Sequence, residues 1–308
     1  MFSTIVSGYD GSSNARDGLA LATLIASACD ARLTAASVYV FHPIHREGDG
    51  EVERYVRETA QERLADVEEL THGRAATTLV RGHSVPEGLQ RCAHELAADL
   101  LVVGSTHHGN IGRALAGDVP ERLLQGSECA VAIAPHGYGA TDPPPALRTI
   151  GVGYDGSREA RAALDAAAEL ARAAGARLQV ITAFTPHISG LTPRMLAELE
   201  LAEYLAEGRQ QLADRQAAEV ARLRAAGVDA TAVADDDEEA DALTARSRTL
   251  DLLVLGSRSY GPWKRLLLGS VSAQLMKRSA CPLLLIPRGA MPQDEADGDR
   301  PRSVERPA

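Results

Sequence analysis

A chain of 308 residues, 45% apolar and 24% charged, is long enough for two ordinary globular cores at roughly 150 residues per domain. Its formal net charge of −10 argues against wrapping nucleic acid or adhering to anionic lipid as a main activity, although local basic clusters can still meet a phosphate. The cysteines (Cys29, Cys92, Cys129 and Cys281) stand too far apart for a zinc site or a disulfide framework and read as reduced, buried thiols.

The first residues, MFSTIVSGYDG, enter a strand directly, so no signal peptide is expected and the cytoplasm is the expected compartment. No apolar run approaches the roughly 20 residues of a membrane span. The chain is then written twice. TIVSGYDGSSNAR (Thr4 to Arg16) returns as TIGVGYDGSREAR (Thr149 to Arg161), and ARL at Ala31 returns at Ala176. DLLVVGS (Asp99 to Ser105) returns as DLLVLGS (Asp251 to Ser257), and ECAVAIAP (Glu128 to Pro135) as ACPLLLIP (Ala280 to Pro287). Two copies in the same order mark a duplicated domain rather than a solenoid. The joint, HGYGATDPPPAL, reads as an exposed linker from its Gly and Pro content. Expected boundaries are 1–140 and 146–290, with a disordered polar tail over 291–308.

In the second copy TIGVGYD reads as a strand, and EARAALDAAAELARAAG as a helix stopped by Gly175. LQVITAF is a second strand, followed by helical material from about Thr192 to Ala226. DATAVAD, DLLVLGS and PLLLIP are further strands, separated by the helices EEADALTARSRT and SVSAQLMKRS. Continuously apolar strands alternating with helices predict an α/β class: two tandem, open, Rossmann-like parallel sheets of about five strands, with helices on both faces. Such sheets take ligands beyond the carboxyl ends of their strands.

GVGYDG (Gly151 to Gly156) matches a dinucleotide fingerprint, but the first copy lacks the leading glycine and no acidic residue closes the second strand. SGYDGSS departs from the pyrophosphatase loop, and nothing matches a P-loop. Both copies do keep an aspartate after the first strand, Asp10 and Asp155, suited either to a ribose or to capping the next helix. Past the fourth strand, Gly256 can admit a ligand to the backbone. Gly269 and Ser270 open a helix whose free N–H groups favour an anion, with Ser272 as a further hydroxyl donor. Arg258, Lys264 and Arg265 add positive charge nearby.

Over nearly its whole length, tail excepted, the chain resembles a tandem universal stress protein. ATP-binding members of that family carry Gly-x2-Gly-x9-Gly-(Ser/Thr); here it reads Gly256-x2-Ser259-x9-Gly269-Ser270. The resemblance implies that Asp155 meets the ribose, that Ala183 offers backbone to the adenine, and that Gly256, Gly269, Ser270, Val271 and Ser272 hold the triphosphate of ATP, with Mg²⁺. Ser259 replaces a glycine and Gly261 lends the loop flexibility. The first copy departs further, Gly104-x2-His107-x9-Gly117-Asp118, with a carboxylate at the helix N-terminus that would repel a phosphate. His107 and His108 read as ordinary loop residues there. The acidic run Asp235 to Glu239 also counts against ATP in the second copy unless Mg²⁺ intervenes.

The expected function is therefore regulatory: a stress-response protein that binds an adenine nucleotide mainly in its second half and is not an enzyme. The expected partners are that nucleotide, the other half through the edge strands AVAIAP and PLLLIP, and a protein whose identity is open, as is homodimer formation. A nucleotide-free interaction scaffold is the alternative. A slow ATP hydrolase ranks third, because no base or nucleophile is placed for catalysis.

Overall fold

The structure is a computed structural model that describes residues 1–43, 48–105, 119–140, 145–184, 201–257 and 269–287. The first half runs β1 (Thr4–Gly8), α1 (Ser13–Cys29), β2 (Arg32–Val40), α2 (Asp49–Glu62), α3 (Val67–Leu70), β3 (Ala75–Gly82), α4 (Val85–Glu95), β4 (Leu100–Gly104), α5 (Val119–Gly126) and β5 (Ala130–Ala134). The second runs β6 (Thr149–Gly153), α6 (Arg158–Ala174), β7 (Arg177–Ala183), α7 (Leu201–Ala225), β8 (Ala230–Asp235), α8 (Glu239–Arg246), β9 (Leu252–Gly256), α9 (Ser270–Arg278) and β10 (Leu283–Ile286). The tail and the first part of the helix expected from Thr192 lie outside the described residues.

The strands form one ten-stranded sheet in the order β3-β2-β1-β4-β5-β10-β9-β6-β7-β8. Each half is parallel within itself, as the apolar runs require. The halves join edge to edge through an antiparallel pair in which Val131, Ala132 and Ile133 oppose Leu285, Leu284 and Leu283. The expected pairing of AVAIAP with PLLLIP is thus present, and it hides two apolar edges that would otherwise invite foreign strands.

Alternation along the strands divides the core in two. Ile5, Leu100, Val102, Leu252, Val254 and Leu284 face α1, α6 and α7 in a cluster that runs through both halves. Val6, Leu101, Val103, Leu253, Leu255 and Leu285 face the other way, onto Leu89 of α4, Leu123 of α5, Leu243 of α8 and Leu275 of α9. Both faces are therefore dry, and period-2 alternation shows only as which helix each side chain meets.

Helix boundaries follow local chemistry. Ser12 and Ser157 N-cap α1 and α6, accepting from the Ala15 and Ala160 amides at 3.2 and 3.1 Å. Gly175 ends α6 in the left-handed conformation, φ 65°, where a side chain would be strained.

The described residues of the joint are mostly exposed, as its composition suggests, but its first turn is anchored. Gly137 and Gly139 donate to the Asp17 carboxylate of α1 at 2.8 and 2.6 Å, and Tyr138 packs against the shared core. A carboxylate far upstream in sequence clasps the turn, and composition alone does not reveal that. Asp17 is 2% exposed, so Asp17→Ala strands two backbone donors. We expect a loss of about 1–3 kcal/mol in calorimetric unfolding; an unchanged melting temperature would mean that the clasp contributes nothing.

Candidate functional site

The carboxyl ends of β6, β7 and β9 open onto a cavity of about 350 Å³. Its floor is Tyr154, Ile181, Leu243 and Leu255, and one wall is the start of α9. Five strands with the chain crossing over on either side of β6 leave this gap, the position where doubly wound sheets hold ligands.

The described residues that the resemblance assigns to the nucleotide all border this cavity: Asp155, Ala183, Gly256, Gly269, Ser270, Val271 and Ser272. Ser259 and Gly261, together with Arg258, Lys264 and Arg265, lie outside the described residues, as do His107, His108, Gly117 and Asp118 of the first half.

Helix α9, like α2 and α8, begins without a side-chain cap, but unlike those two it has no acidic residue in its first turn. Its N-cap, Gly269 (φ −71°, ψ 162°), has no side chain to accept from the first amides, and no acidic residue occupies the first turn. Helices α1, α4 and α6 are instead each closed by a serine hydroxyl. Positive partial charge from the first-turn amides therefore faces the cavity, beside exposed Ser270 and buried Ser272. That donor set suits a phosphate oxygen.

Asp155 accepts the Ser157 amide through Oδ1 at 2.9 Å, an Asx-turn that Asp10 repeats with Ser12 at 3.0 Å. The turn does not remove Asp155 from the cavity wall, so the capping and ligand-facing readings coexist in one side chain. Ala183 ends β7 opposite Asp235 of β8, with its small side chain bordering the cavity.

Gly256 needs a different explanation from the one its position suggests. A Cβ there would run into the backbone of α6, meeting the Glu159 carbonyl and lying 3.0 Å from the Ala160 nitrogen. Gly104 stands in the same relation to the Asn14 backbone of α1. The missing side chain at the end of the fourth strand of each half lets the first turn of a helix press onto the sheet.

Two of the five residues of the acidic run are ion-paired. Asp235 pairs with Arg246 at 3.3 Å, and Asp236 pairs with Arg209 of α7. Glu239 does border the cavity, and so does Glu159 from the first turn of α6. Sequence reasoning passed over Glu159 as an ordinary helix residue. Its signal was its place two residues beyond the serine cap, on the turn that abuts Gly256.

The first half is built differently at the matching place. Val38 corresponds to Ala183, five residues past the repeated ARL, and its methyl carbons stand 2.6 and 3.0 Å from where a Cβ on Gly88 of α4 would lie. Valine methyls and α4 thus take up the space that alanine leaves open in the second half. Nearby, Tyr9 donates to Asp66 at 2.7 Å and Arg16 pairs with the other oxygen at 3.0 Å. Burial, with Asp66 adding to it, pushes the Tyr9 phenol up to about 12, so it remains a donor.

Fold and site together define a duplicated α/β protein with a cleft beyond the strand ends of its second half. The family model described as the universal stress protein family matches residues 1–135 and 146–287, and the chain belongs to that family. A universal stress protein of Mycobacterium tuberculosis is 29% identical over 300 residues, covering 92% of this chain and 99% of its own. The crystal structure of a universal stress protein from Archaeoglobus fulgidus matches with a TM-score of 0.65 at 19% identity, covering 93% of this chain and 98% of that one. A universal stress protein solved in complex with cAMP is 27% identical over 43% of this chain, with a TM-score of 0.33. Among the described residues, no helix is long and apolar enough to cross a membrane.

Proposed function

We propose that the second half binds an adenine nucleotide, ATP with Mg²⁺, and that the chain acts as a regulatory binding protein of the stress response rather than as an enzyme. The observation that carries this reading is the α9 N-terminus, open to the cavity without a side-chain cap, beside Ser270 and Ser272. Phosphates sit on the first-turn amides, the ribose reaches Asp155, and the adenine lies toward Ala183. Family membership supports the same ligand class. When bound, Mg²⁺ offsets the repulsion between phosphates and the Glu159 and Glu239 carboxylates bordering the cavity. Phosphates held on helix amides with no placed base are bound rather than cleaved.

Those same two glutamates favour a second reading, a scaffold that binds no nucleotide and signals through its surface alone. Calorimetric titration of nucleotide-stripped protein separates the two. ATP with Mg²⁺, ADP and cAMP are titrated in parallel into the native chain and into Ser270→Asp, which copies Asp118 onto α9. Binding at one site per chain, weakened at least about a hundredfold in the variant, is the expected result. Absence of heat with all three ligands on folded protein would leave the scaffold. Binding unchanged in the variant would move the phosphate away from α9.

A further inference from the structure

We propose that the ends of β2 and β3 in the first half form a binding site for one late first-row divalent metal ion, held between His42 and His83. The two imidazoles lie side by side, with centroids 5.8 Å apart and ring planes inclined at 47°. Both residues are exposed, so an ion from solution can reach them.

Sheet register is what brings the rings together. Strands β2 and β3 are parallel neighbours with Val40 opposite Gly82, so His42 and His83 follow their last paired residues by two positions and one. Each backbone is fixed close to its ring. Phe41 is buried, with the Arg81 guanidinium over it at 5.5 Å, and Pro43 biases His42 toward extended backbone. On the other strand the His83 amide donates to Glu87 Oε2 at 2.9 Å, and the Ser84 hydroxyl accepts from the Glu87 amide at 3.3 Å. Gly82 makes room for that closure. A Cβ there would stand 3.1 Å from the same Glu87 oxygen and 2.8 Å from the Ser84 carbonyl oxygen.

The spacing suits a shared ion. A metal bonded to an imidazole nitrogen at about 2.0–2.1 Å lies about 3.2 Å from the ring centroid. Two rings on one ion therefore have centroids from about 4.5 Å apart, at a right angle, to about 6.4 Å apart, in line. The observed spacing falls inside that range, and rotation of exposed side chains is enough to aim one nitrogen from each ring. Glu87 Oε2, 3.9 Å from His83 Nδ1, favours the tautomer protonated there and leaves the Nε2 lone pair for the metal. Arg81 and Arg91, the guanidiniums beside these residues, are each paired, with Glu53 at 3.3 Å and Glu87 at 2.7 Å. Among the described residues no cluster of three ligating side chains occurs, so water completes the coordination and the ion exchanges. Two imidazole nitrogens select Cu²⁺ over Ni²⁺ and Zn²⁺, and offer little to Mg²⁺ or Ca²⁺, which take oxygen ligands.

This site belongs to the first half alone and is independent of the nucleotide cleft. The matching strand of the second half, β8, runs out into Asp235, Asp236 and Asp237, with carboxylates in place of the imidazole. Val38 and α4 fill the space that in the second half remains a cavity beside Ala183, so the strand ends here are left to other chemistry.

The test titrates Cu²⁺ into the full, metal-free chain by calorimetry and records low-temperature EPR spectra of the one-to-one complex. His42→Gln and His83→Gln are compared with the native protein, and His107→Gln/His108→Gln is the control. One Cu²⁺ per chain is expected, bound at least about tenfold more weakly in each of the first two variants and within about twofold of native in the control. The EPR spectrum of the native complex should carry the nitrogen splitting of two imidazoles, and each single variant that of one. Zn²⁺ and Ni²⁺ should bind more weakly than Cu²⁺, and excess Mg²⁺ should displace none of them. Absence of Cu²⁺ binding to the native chain overturns the proposal. So does affinity within about twofold of native in either His42→Gln or His83→Gln, or an equal loss in the control.

Discussion

Gly256→Ala is expected to destabilise the second half by about 3 kcal/mol, lowering its melting temperature by roughly 6–12 °C. The added methyl meets the Glu159 carbonyl and the Ala160 nitrogen, both backbone atoms of α6, and neither can rotate away. Relief requires α6 to lift from the sheet, and Ala163, Leu164 and Ala167 of that helix are buried in the core shared by both halves. The damage should therefore reach beyond the site. Gly269→Ala is the control: a Cβ there meets nothing within 4 Å, and φ is −71°, so the change should stay within about 1 kcal/mol. Differential scanning calorimetry of the two variants decides the matter. Equal losses would mean that the helix–sheet contact at Gly256 is not the constraint.

Ala183→Val is the second large effect, and it falls on binding rather than stability. Two added methyls at the end of β7 enter a cavity rather than a packed core, and a β-branched residue suits a strand, so stability should move by less than about 0.5 kcal/mol. The first half already carries valine at this position, with α4 resting on it. Nucleotide affinity is expected to fall by at least about tenfold, because the adenine loses the space next to the β7 backbone. Native affinity in a folded Ala183→Val protein would place the base elsewhere in the cleft. Combined with Ser270→Asp, the variant separates the two ends of the ligand. If both contact one nucleotide, each alone should weaken binding, while neither disturbs the melting temperature of the ligand-free chain.

The framework of the fold was legible because it rests on local signals. Runs such as DLLVVGS and DLLVLGS are apolar throughout, and only a strand covered on both faces tolerates that. Which edges meet was implied by the resemblance to the family, and the antiparallel pair of β5 and β10 agrees with it. The site was legible as a set of residues but not as a set of reasons. Gly256 borders the cavity as its position suggests, yet it also accommodates the first turn of α6, an element named by no residue near it in sequence. Glu239 was marked by its acidic run, whereas Glu159 borders the cavity because the first turn of α6 abuts β9. Likewise, the Gly and Pro content of the joint marks its exposure but not the anchoring of its first turn by the distant Asp17. Long-range contacts of single side chains leave no periodicity to read.

The antiparallel seam of β5 and β10 has a consequence for how this chain can change over time. Were two identical subunits joined there, every substitution would appear twice, once on each side of the dyad. An alanine that opened the end of one second strand would open both, and a valine that filled it would fill its twin. Fusion into one polypeptide removes that coupling while keeping the seam. Each half contributes its edge strand at a fixed ratio of one to one, independent of concentration. The chain is in effect a heterodimer that cannot dissociate on dilution, free to specialise one lobe while the other keeps the shared core intact.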